Sequence, residues 1–184
     1  GIFLSIGGIE SMREYFQSIK KRDPAARNIL QIILTYPGVH AVFWYRIAHF
    51  IYTHHFKLVA EWIMFCVRCT INIEIHPAAI IGKRLFIDHG TGVVIGATSI
   101  IGNDVTMYHG VTLGGVGRGG INGKRHPTVE DGVTIGAGAK ILGDIIAEFR
   151  KKYPLVQFDL HSGNGYSVFD RIESGLLDIG LVQT

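Results

Sequence analysis

Nine histidines are the first candidates for chemistry in this 184-residue chain. Four of them follow one another at intervals of 13, 20 and 17 residues: His76, His89, His109 and His126. The one pair spaced five residues apart, His49 and His54, lies in a region with a helical pattern. Zinc sites often include two histidines only a few residues apart, and none of those four has such a neighbour in the same region. The histidines therefore do not favour a zinc site, and we expect no bound metal.

A glycine-rich stretch over residues 114–124 resembles nucleotide-binding loops at first sight. It contains G-x-G-x-x-G at Gly115, Gly117 and Gly120, but it lacks the strand-to-helix context that a dinucleotide site requires. A Walker loop would need glycine at position 118 and serine or threonine at 125, where the chain has Arg118 and Arg125. We interpret the stretch as an extended loop.

Charge and cysteine content exclude several classes of protein. The 18 basic and 15 acidic residues give a net charge of +3, which suits a small anionic ligand, and no clustered basic face indicates nucleic acid binding. Cys66 and Cys69 have no partner pair for a zinc or disulfide framework, so we expect two buried thiols in a cytoplasmic protein. We find no targeting segment, and the longest charge-free run, 28–45, is too broken to span a membrane.

The elements that must position any site begin with helices over residues 13–70. Asp23 before Pro24 predicts an N-cap, followed by a helix from Ala25 to about Tyr36 that stops at Pro37. The run from about 39 to 71 is rich in aromatic residues at helical spacing. Such a stripe is typical of a core or of a subunit-packing face.

From residue 75 the hydrophobic period changes to six. Ten aliphatic or methionine residues follow this period, with a slip of two after the third and an insertion after the seventh: Ile75, Ile81, Ile87, Ile95, Ile101, Met107, Leu113, Val129, Ile135 and Ile141. A six-residue repeat predicts a parallel β-helix whose aliphatic positions point inward. Glycine follows the inward residue at five places, where a side chain would crowd a corner: Gly82, Gly96, Gly102, Gly114 and Gly136.

Several ordered motifs resemble the serine O-acetyltransferases over about residues 12–145. They are RDPAAR from Arg22, YPGVHA from Tyr36, IEIHPAAIIG from Ile73, IDHGTGVVIG from Ile87, and VTLGG and KRHP from Val111 and Lys124. The resemblance implies an α+β fold, with an N-terminal helical domain over 12–73 and a left-handed parallel β-helix over 74–145, assembled as a homotrimer or a dimer of trimers. Met12 then fits a natural start, and residues 1–11 fit a non-native leader.

The hexad rhythm ends near Ile145, and residues 146–184 have a different pattern. They read as a short α/β segment of helix, strand, helix and strand, and this segment is similar to the start of the effector-binding domain of LysR-type regulators. We interpret the chain as a hybrid of an incomplete acetyltransferase and a regulator fragment. The alternative is a native extension with a coincidental likeness.

The resemblance also implies the roles of individual residues. It makes His89 the general base and Glu74 its orienting partner, with Asp23, Asp88, Arg125 and His126 binding the serine substrate. Each residue has an ordinary alternative, since Asp23 could be only an N-cap and Asp88 and His89 only a polar corner. For acetyl-CoA the resemblance implies contacts from Gly114, Gly115 and Ala137. Lys124 and Arg118 either meet the CoA phosphates or belong to a solvated basic loop.

The implied activity is acetyl transfer from acetyl-CoA to the hydroxyl of L-serine, in cysteine biosynthesis. Family members continue with further coils that complete the CoA groove and a tail that binds cysteine synthase. For the chain as it stands we therefore expect weak or absent activity and no stable complex with that enzyme. The alternatives are a sister acyltransferase with another acceptor, such as homoserine or a sugar, and a non-catalytic regulatory module based on the LysR-like segment.

Overall fold

The computed structural model describes residues 6–115 and 123–142, with side chains from residue 12 onward. Four helices come first and are followed by ten short strands. The helices are α1 (Ile6–Arg22), α2 (Ile29–Thr35), α3 (Pro37–Thr53) and α4 (Lys57–Ile71). Helix α1 runs through the expected leader boundary at residue 12. The expectations for residues 1–5, 116–122 and 143–184 lie outside the described residues.

The predicted N-cap at Asp23 is wrong. The Asp23 amide donates to the Ile19 carbonyl at 2.8 Å and so completes the end of α1. Helix α2 begins later, at Ile29, and its N-cap is Asn28, whose Oδ1 accepts from the Gln31 amide at 2.8 Å. Asp23 closes a short turn instead, because its Oδ1 accepts from the Ala25 amide at 2.8 Å. The stop before Pro37 is confirmed, and this proline starts α3 at its first turn.

Replacing Asn28 tests the revised start of α2. We expect Asn28→Ala to lower the free energy of unfolding by about 1 kcal/mol, since the Gln31 amide loses its acceptor, whereas Asn28→Asp keeps an oxygen there. Chemical denaturation of both variants measures the difference. Equal stability of Asn28→Ala and the wild type would contradict this assignment of the cap.

The strands wind as a parallel β-helix. Each circuit of the chain, which we call a coil, adds one strand to each of three parallel sheets, with the orders β1-β4-β7-β10, β2-β5-β8 and β3-β6-β9. The strands are β1 (Ile73–Ile75), β2 (Ile80–Ile81), β3 (Phe86–Ile87), β4 (Val93–Ile95), β5 (Ile100–Ile101), β6 (Thr106–Met107), β7 (Thr112–Gly114), β8 (Thr128–Val129), β9 (Thr134–Ile135) and β10 (Lys140–Leu142). This arrangement confirms the parallel strands that the hexad predicts.

The hexad positions form the core of the coils. Nine of the ten are buried, with Ile75, Ile95 and Leu113 at most 1% exposed, and Ile141 is partly buried against them. The predicted need for glycine is confirmed where coils stack. A Cβ at Gly82 would lie 2.6 Å from the Gly102 carbonyl, and a Cβ at Gly102 would lie 2.3 Å from Asp131 Oδ1. The crowding thus comes from the next coil.

The slips in the repeat mark two enlarged corners. Ile75 pairs with Ile95 at an offset of 20 residues, Ile95 pairs with Leu113 at 18, and Leu113 pairs with Ile141 at 28. The first coil therefore carries two extra residues between β3 and β4. The third carries ten between β7 and β8. Extra residues must leave the regular corner, so both places can present side chains to a ligand.

Helix α3 binds the first coil through side-chain hydrogen bonds to main-chain carbonyls. The buried Tyr45 hydroxyl donates to Ala79 O at 2.6 Å, and Arg46 donates to Ile81 O at 2.6 Å and to Gly82 O. His49 Nδ1 lies 2.7 Å from Pro77 O. One hydrophobic core includes both the inner faces of α3 and α4 and the inside of the coils. Helices α3 and α4 therefore share one core with the coils.

The buried Tyr45 side chain is expected to make the protein less stable at alkaline pH. Burial raises the pKa of this phenol from 10.0 to about 12, against the opposing charge of Arg46. A raised folded-state pKa gives a contribution that is complete below pH 10 and is lost as the pH rises towards 12. We expect the free energy of unfolding to fall over this interval, and to fall less steeply in Tyr45→Phe. Urea titrations at several pH values measure both slopes, and identical slopes would contradict the prediction.

The prediction of two buried thiols is wrong, because Cys66 is half-buried and Cys69 is exposed on α4, whose core face carries Ala60, Met64 and Val67 instead. Within residues 6–115 and 123–142, no helix is long and apolar enough to cross a membrane.

Candidate functional site

The enlarged corner between β3 and β4 carries Asp88 and His89. His89 has a left-handed backbone, with φ 57°, and Gly90 and Gly92 both have φ 74°. Left-handed residues other than glycine are uncommon. A Cβ at Gly90 would lie 2.4 Å from Ile73 Cδ1, so the corner needs glycine there. The result is a projecting imidazole whose side chain is 74% exposed.

Asp88 and His109 both lie close to this imidazole. Asp88 Oδ1 lies 3.9 Å from His89 Nε2, and the His109 ring stands edge-on to the His89 ring with 6.0 Å between centroids. An exposed imidazole next to a carboxylate can accept a proton from a substrate hydroxyl, and the carboxylate stabilises the cation that forms.

Tyr36 connects Asp23 to the strand that ends next to Asp88. The Tyr36 hydroxyl donates to Asp23 Oδ2, and its ring stacks on Phe86 with 6.4 Å between centroids. Burial, the hydrogen bond to Asp23 and the charges of Asp23 and Asp88 together raise the pKa of Tyr36 to about 12. Asp23, Tyr36, Asp88 and His89 therefore form one cluster, which we call the His89 group. Two carboxylates beside a base suit a substrate with an ammonium group.

Arg22 fixes the end of α1 that carries Asp23. Its guanidinium donates to Arg84 O at 2.7 Å, to Val105 O at 3.0 Å and to Asp104 O at 3.2 Å. These bonds tie α1 to the corners of two successive coils. Neither Arg22 nor Tyr36 was predicted to have a role at the site, although both belong to motifs that carry the resemblance. Their contacts join residues distant in sequence, which no local pattern shows.

Glu74 lies on β1 in a second region. Arg68 donates to its Oε2 at 3.0 Å, and both side chains are about half exposed. Among the described residues, no hydrogen bond or ion pair joins Glu74 to His89. Glu74 lines a groove between α4 and β1 with seven other residues: Glu61, Met64, Phe65, Arg68, Ile75, His76 and Pro77. The predicted base and its predicted partner are therefore not brought together within the chain.

Arg125 and His126 follow the larger insertion and lie on the Glu74 side. Burial lowers the pKa of His76, the charges of Glu61 and Glu74 oppose this, and the charge of Arg125 lowers it further. The His76 amide donates to Ile95 O at 2.9 Å, directly before the glycine that His126 covers. Arg125 is exposed. His126 is 8% exposed and lies over Gly96, where a Cβ would be 2.0 Å from the ring. We call Glu74, His76, Arg125 and His126 the Arg125 group.

The residues expected to contact acetyl-CoA have different surroundings. Gly114 ends β7, and a Cβ at Gly115 would lie 2.8 Å from Arg125 O, so this glycine allows the insertion to pack closely. Ala137 is exposed after β9. Lys124 Nζ donates to Thr98 O and His126 O, both at 2.7 Å, which makes it a tie between main-chain segments. Arg118 lies outside the described residues.

Over the side chains of 12–115 and 123–142, no group of three or more His, Cys, Asp or Glu residues could hold a metal ion. His89 and His109 approach each other, but Asp88 is the only carboxylate recorded within 4 Å of His89 in this part of the chain.

Comparison with known proteins identifies the family of the coils and helices. The serine acetyltransferase of Mycobacterium tuberculosis is 53% identical over 137 residues, which are 74% of this chain and 59% of that protein. The serine acetyltransferase of Helicobacter pylori strain 26695 is 53% identical over 129 residues, which are 70% of this chain and 74% of that protein. The chain belongs to the serine acetyltransferase family. It spans about three fifths of the length of the mycobacterial relative.

Solved structures agree with this assignment. The Neisseria gonorrhoeae serine acetyltransferase in complex with serine matches with a TM-score of 0.69 and 39% identity, covering 73% of this chain and 55% of that chain. A serine acetyltransferase in complex with CoA matches with a TM-score of 0.67 and 42% identity, with the same two shares. The α+β class predicted from the sequence is confirmed by these neighbours and by the helices and parallel sheets described above.

A second family matches the end of the chain. The LysR substrate binding domain matches residues 125–184. This match confirms the predicted LysR-like segment, but it begins at residue 125, before the predicted start at residue 146. The first part of this match overlaps the coils. Residues 128–142 include β8, β9 and β10, which pair with β5, β6 and β7 of the same chain.

Proposed function

We propose that the chain transfers the acetyl group of acetyl-CoA to the hydroxyl of L-serine, releasing CoA and O-acetylserine. The observation that carries the proposal is the His89 group, in which an imidazole projects from a left-handed corner beside Asp88. Two of the similar solved structures support these substrates, since one is a complex with serine and the other a complex with CoA. A cytoplasmic location is part of the proposal, because the free thiols of Cys66 and Cys69 suit a reducing compartment.

The proposed chemistry is a direct attack within a complex of both substrates. His89 accepts the proton of the serine hydroxyl as its oxygen bonds to the thioester carbonyl carbon. The tetrahedral intermediate then collapses, the carbon–sulfur bond breaks and the His89 imidazolium gives its proton to the CoA thiolate, which regenerates the base. Asp88 and Asp23 are suited to the serine ammonium group, and Asp88 also stabilises the imidazolium. Arg125 is suited to the serine carboxylate, because a guanidinium offers paired donors to a carboxylate.

The separation of the His89 group from the Arg125 group supports a site shared between copies. The His89 group holds the expected base and the carboxylates for the serine ammonium group, whereas the Arg125 group holds the expected contacts for the serine carboxylate. His89 and Arg125 are both exposed. We propose a homotrimer with a left-handed β-helix, in which the His89 group of one copy faces the Arg125 group of its neighbour. Glu74 would then reach His89 across the interface. The exposed apolar residues of α3 and α4, which include Trp44 (44%) and Trp62 (65%), suit subunit packing.

For acetyl-CoA we propose main-chain contacts along one edge of the coils. Gly115 is exposed and Gly114 is half-buried at the end of β7, and Ala137 is exposed with a small side chain. The bonds from Lys124 Nζ to Thr98 O and His126 O favour a supporting role for this lysine over contact with the CoA phosphates or a solvated basic loop.

Thiol release from acetyl-CoA tests the function. The assay compares L-serine, L-homoserine and a sugar as acceptors, with a reaction lacking acceptor as the blank. We expect release that depends on L-serine and is fastest with it. Faster release with homoserine or a sugar favours a sister acyltransferase, and absence of acceptor-dependent release contradicts the proposal. A native mass of three subunits is expected in parallel, and a monomeric mass contradicts the shared site.

A further inference from the structure

Thr98 contacts the Arg125 group through an unusual number of hydrogen bonds. It is a half-buried residue in the corner between β4 and β5. Its Oγ1 accepts from the Arg125 amide and from the His126 amide, both at 3.0 Å. Its carbonyl accepts from Lys124 Nζ at 2.7 Å. One threonine therefore contacts three consecutive residues, 124–126, across 26 to 28 positions of sequence.

These bonds take the place of strand pairing for residues 125 and 126, which lie just before β8. Residues 124–127 follow the ten-residue insertion, and strand β8 begins only at Thr128. The amides of Arg125 and His126 thus precede the sheet ladder, and the side chain of Thr98 supplies their acceptor. Pairing with the coil below resumes at Pro127, whose carbonyl accepts from the Ile100 amide at 3.2 Å. Without the Thr98 hydroxyl, the Arg125 and His126 amides would lose the acceptor that fixes their path.

Thr98 also sets the state of the His126 ring. The Thr98 amide donates to His126 Nδ1 at 3.1 Å, and Thr98 Oγ1 lies 2.8 Å from the same nitrogen. A main-chain amide can only donate, so Nδ1 is unprotonated and the proton of the neutral ring is on Nε2. Gly96 limits the ring from the other side, because a Cβ there would lie 2.0 Å from Cδ2 and Nε2. Ring position and tautomer are therefore both fixed by residues 96–98.

We infer that Thr98 is a positioning residue for the acceptor site: it holds the main chain of Arg125 and the ring of His126 in the geometry that receives the substrate carboxylate. The inference rests on the proposed function, in which these two residues bind L-serine. Thr98 itself touches no substrate in this account. Its hydroxyl acts through two amides and one imidazole nitrogen.

Two substitutions of Thr98 in the full chain test the inference. Thr98→Val keeps the shape and the main-chain amide but removes the hydroxyl, whereas Thr98→Ser keeps the hydroxyl. We expect Thr98→Val to raise KM for L-serine about tenfold, since two amides lose their acceptor. KM for acetyl-CoA should change less than about twofold, and Thr98→Ser should restore KM for L-serine to within about twofold of the wild type. Thr134→Val, at an exposed threonine on β9, is the matched control.

Several results would overturn the inference. An unchanged KM for L-serine in Thr98→Val, an equal rise in both KM values, or a Thr98→Ser variant as impaired as the valine variant would each do so. The ¹⁵N resonance of His126 Nδ1 gives a readout that needs no turnover. We expect the signal of an unprotonated acceptor in the wild type and Thr98→Ser, and a shifted signal in Thr98→Val. If the wild type shows no serine-dependent release, the proposed function fails, while an unshifted signal in Thr98→Val overturns the positioning role itself.

Discussion

Replacing His89 by asparagine is expected to lower serine-dependent CoA release by about 10²- to 10⁴-fold, which is the usual contribution of a general base. Asparagine removes the basic nitrogen but tolerates the left-handed backbone of this corner, where φ is 57°. The fold should therefore persist, and kcat should fall much more than KM for L-serine rises. Steady-state kinetics with varied L-serine at saturating acetyl-CoA measure both constants.

His55→Asn is the matched control. His55 is also exposed and left-handed, with φ 71°, but it lies in the turn between α3 and α4, away from the His89 group. This variant should keep the wild-type rate. If His89→Asn retains more than about a tenth of wild-type kcat, general base catalysis by His89 is not supported.

Replacing Ile81 by alanine is expected to lower the free energy of unfolding by about 2 to 5 kcal/mol. Ile81 points into the coils from β2 and is 5% exposed, so truncation leaves a cavity between stacked coils. Its neighbour Ile80 lies on the same two-residue strand, points outward and is 58% exposed. Ile80→Ala therefore provides a control of identical chemistry at an adjacent position.

Chemical denaturation at equal protein concentration compares the two variants with the wild type. We expect Ile80→Ala to cost less than about 1 kcal/mol, because little apolar surface is uncovered. Equal losses in the two variants would contradict the assignment of the six-residue repeat to the inside of the coils.

The hexad was the most informative feature of the sequence. A period of six assigns each inward residue without knowledge of distant contacts, because every coil repeats the same local geometry. The two slips in the period fall where the structure enlarges the coils, with Asp88 and His89 in one enlarged corner and Arg125 after the other. Glycines after inward residues were correctly linked to close packing, although the neighbour is the next coil.

Local capping was less predictable. Asp23 and Asn28 are both good N-cap residues, and the proline after Asp23 favoured the first of them. The structure uses Asp23 at the end of α1 and Asn28 at the start of α2, because Arg22 ties α1 to the coils and Tyr36 binds the Asp23 carboxylate. The contacts of Arg22 join residues up to 84 positions apart. No pattern over a few residues contains them.

The candidate site shows the same limit. Resemblance supplied the residue types, but it could not show that Glu74 pairs with Arg68 or that Lys124 binds carbonyl groups within the chain. Thr98 had no signal at all, because a threonine in a polar corner is ordinary. Its importance follows only from the bonds it makes to residues 26 to 28 positions later.

The central claim is that the His89 group of one copy and the Arg125 group of another form one acetyltransferase site. Co-expression of His89→Asn and Arg125→Ala chains, each nearly inactive alone, tests it most directly by serine-dependent CoA release from the mixed assemblies. Random mixing leaves about a quarter of the shared sites with both groups intact, so we predict about a quarter of wild-type activity. Activity no higher than the average of the two separate variants would show that both groups act within a single chain, and would contradict the account.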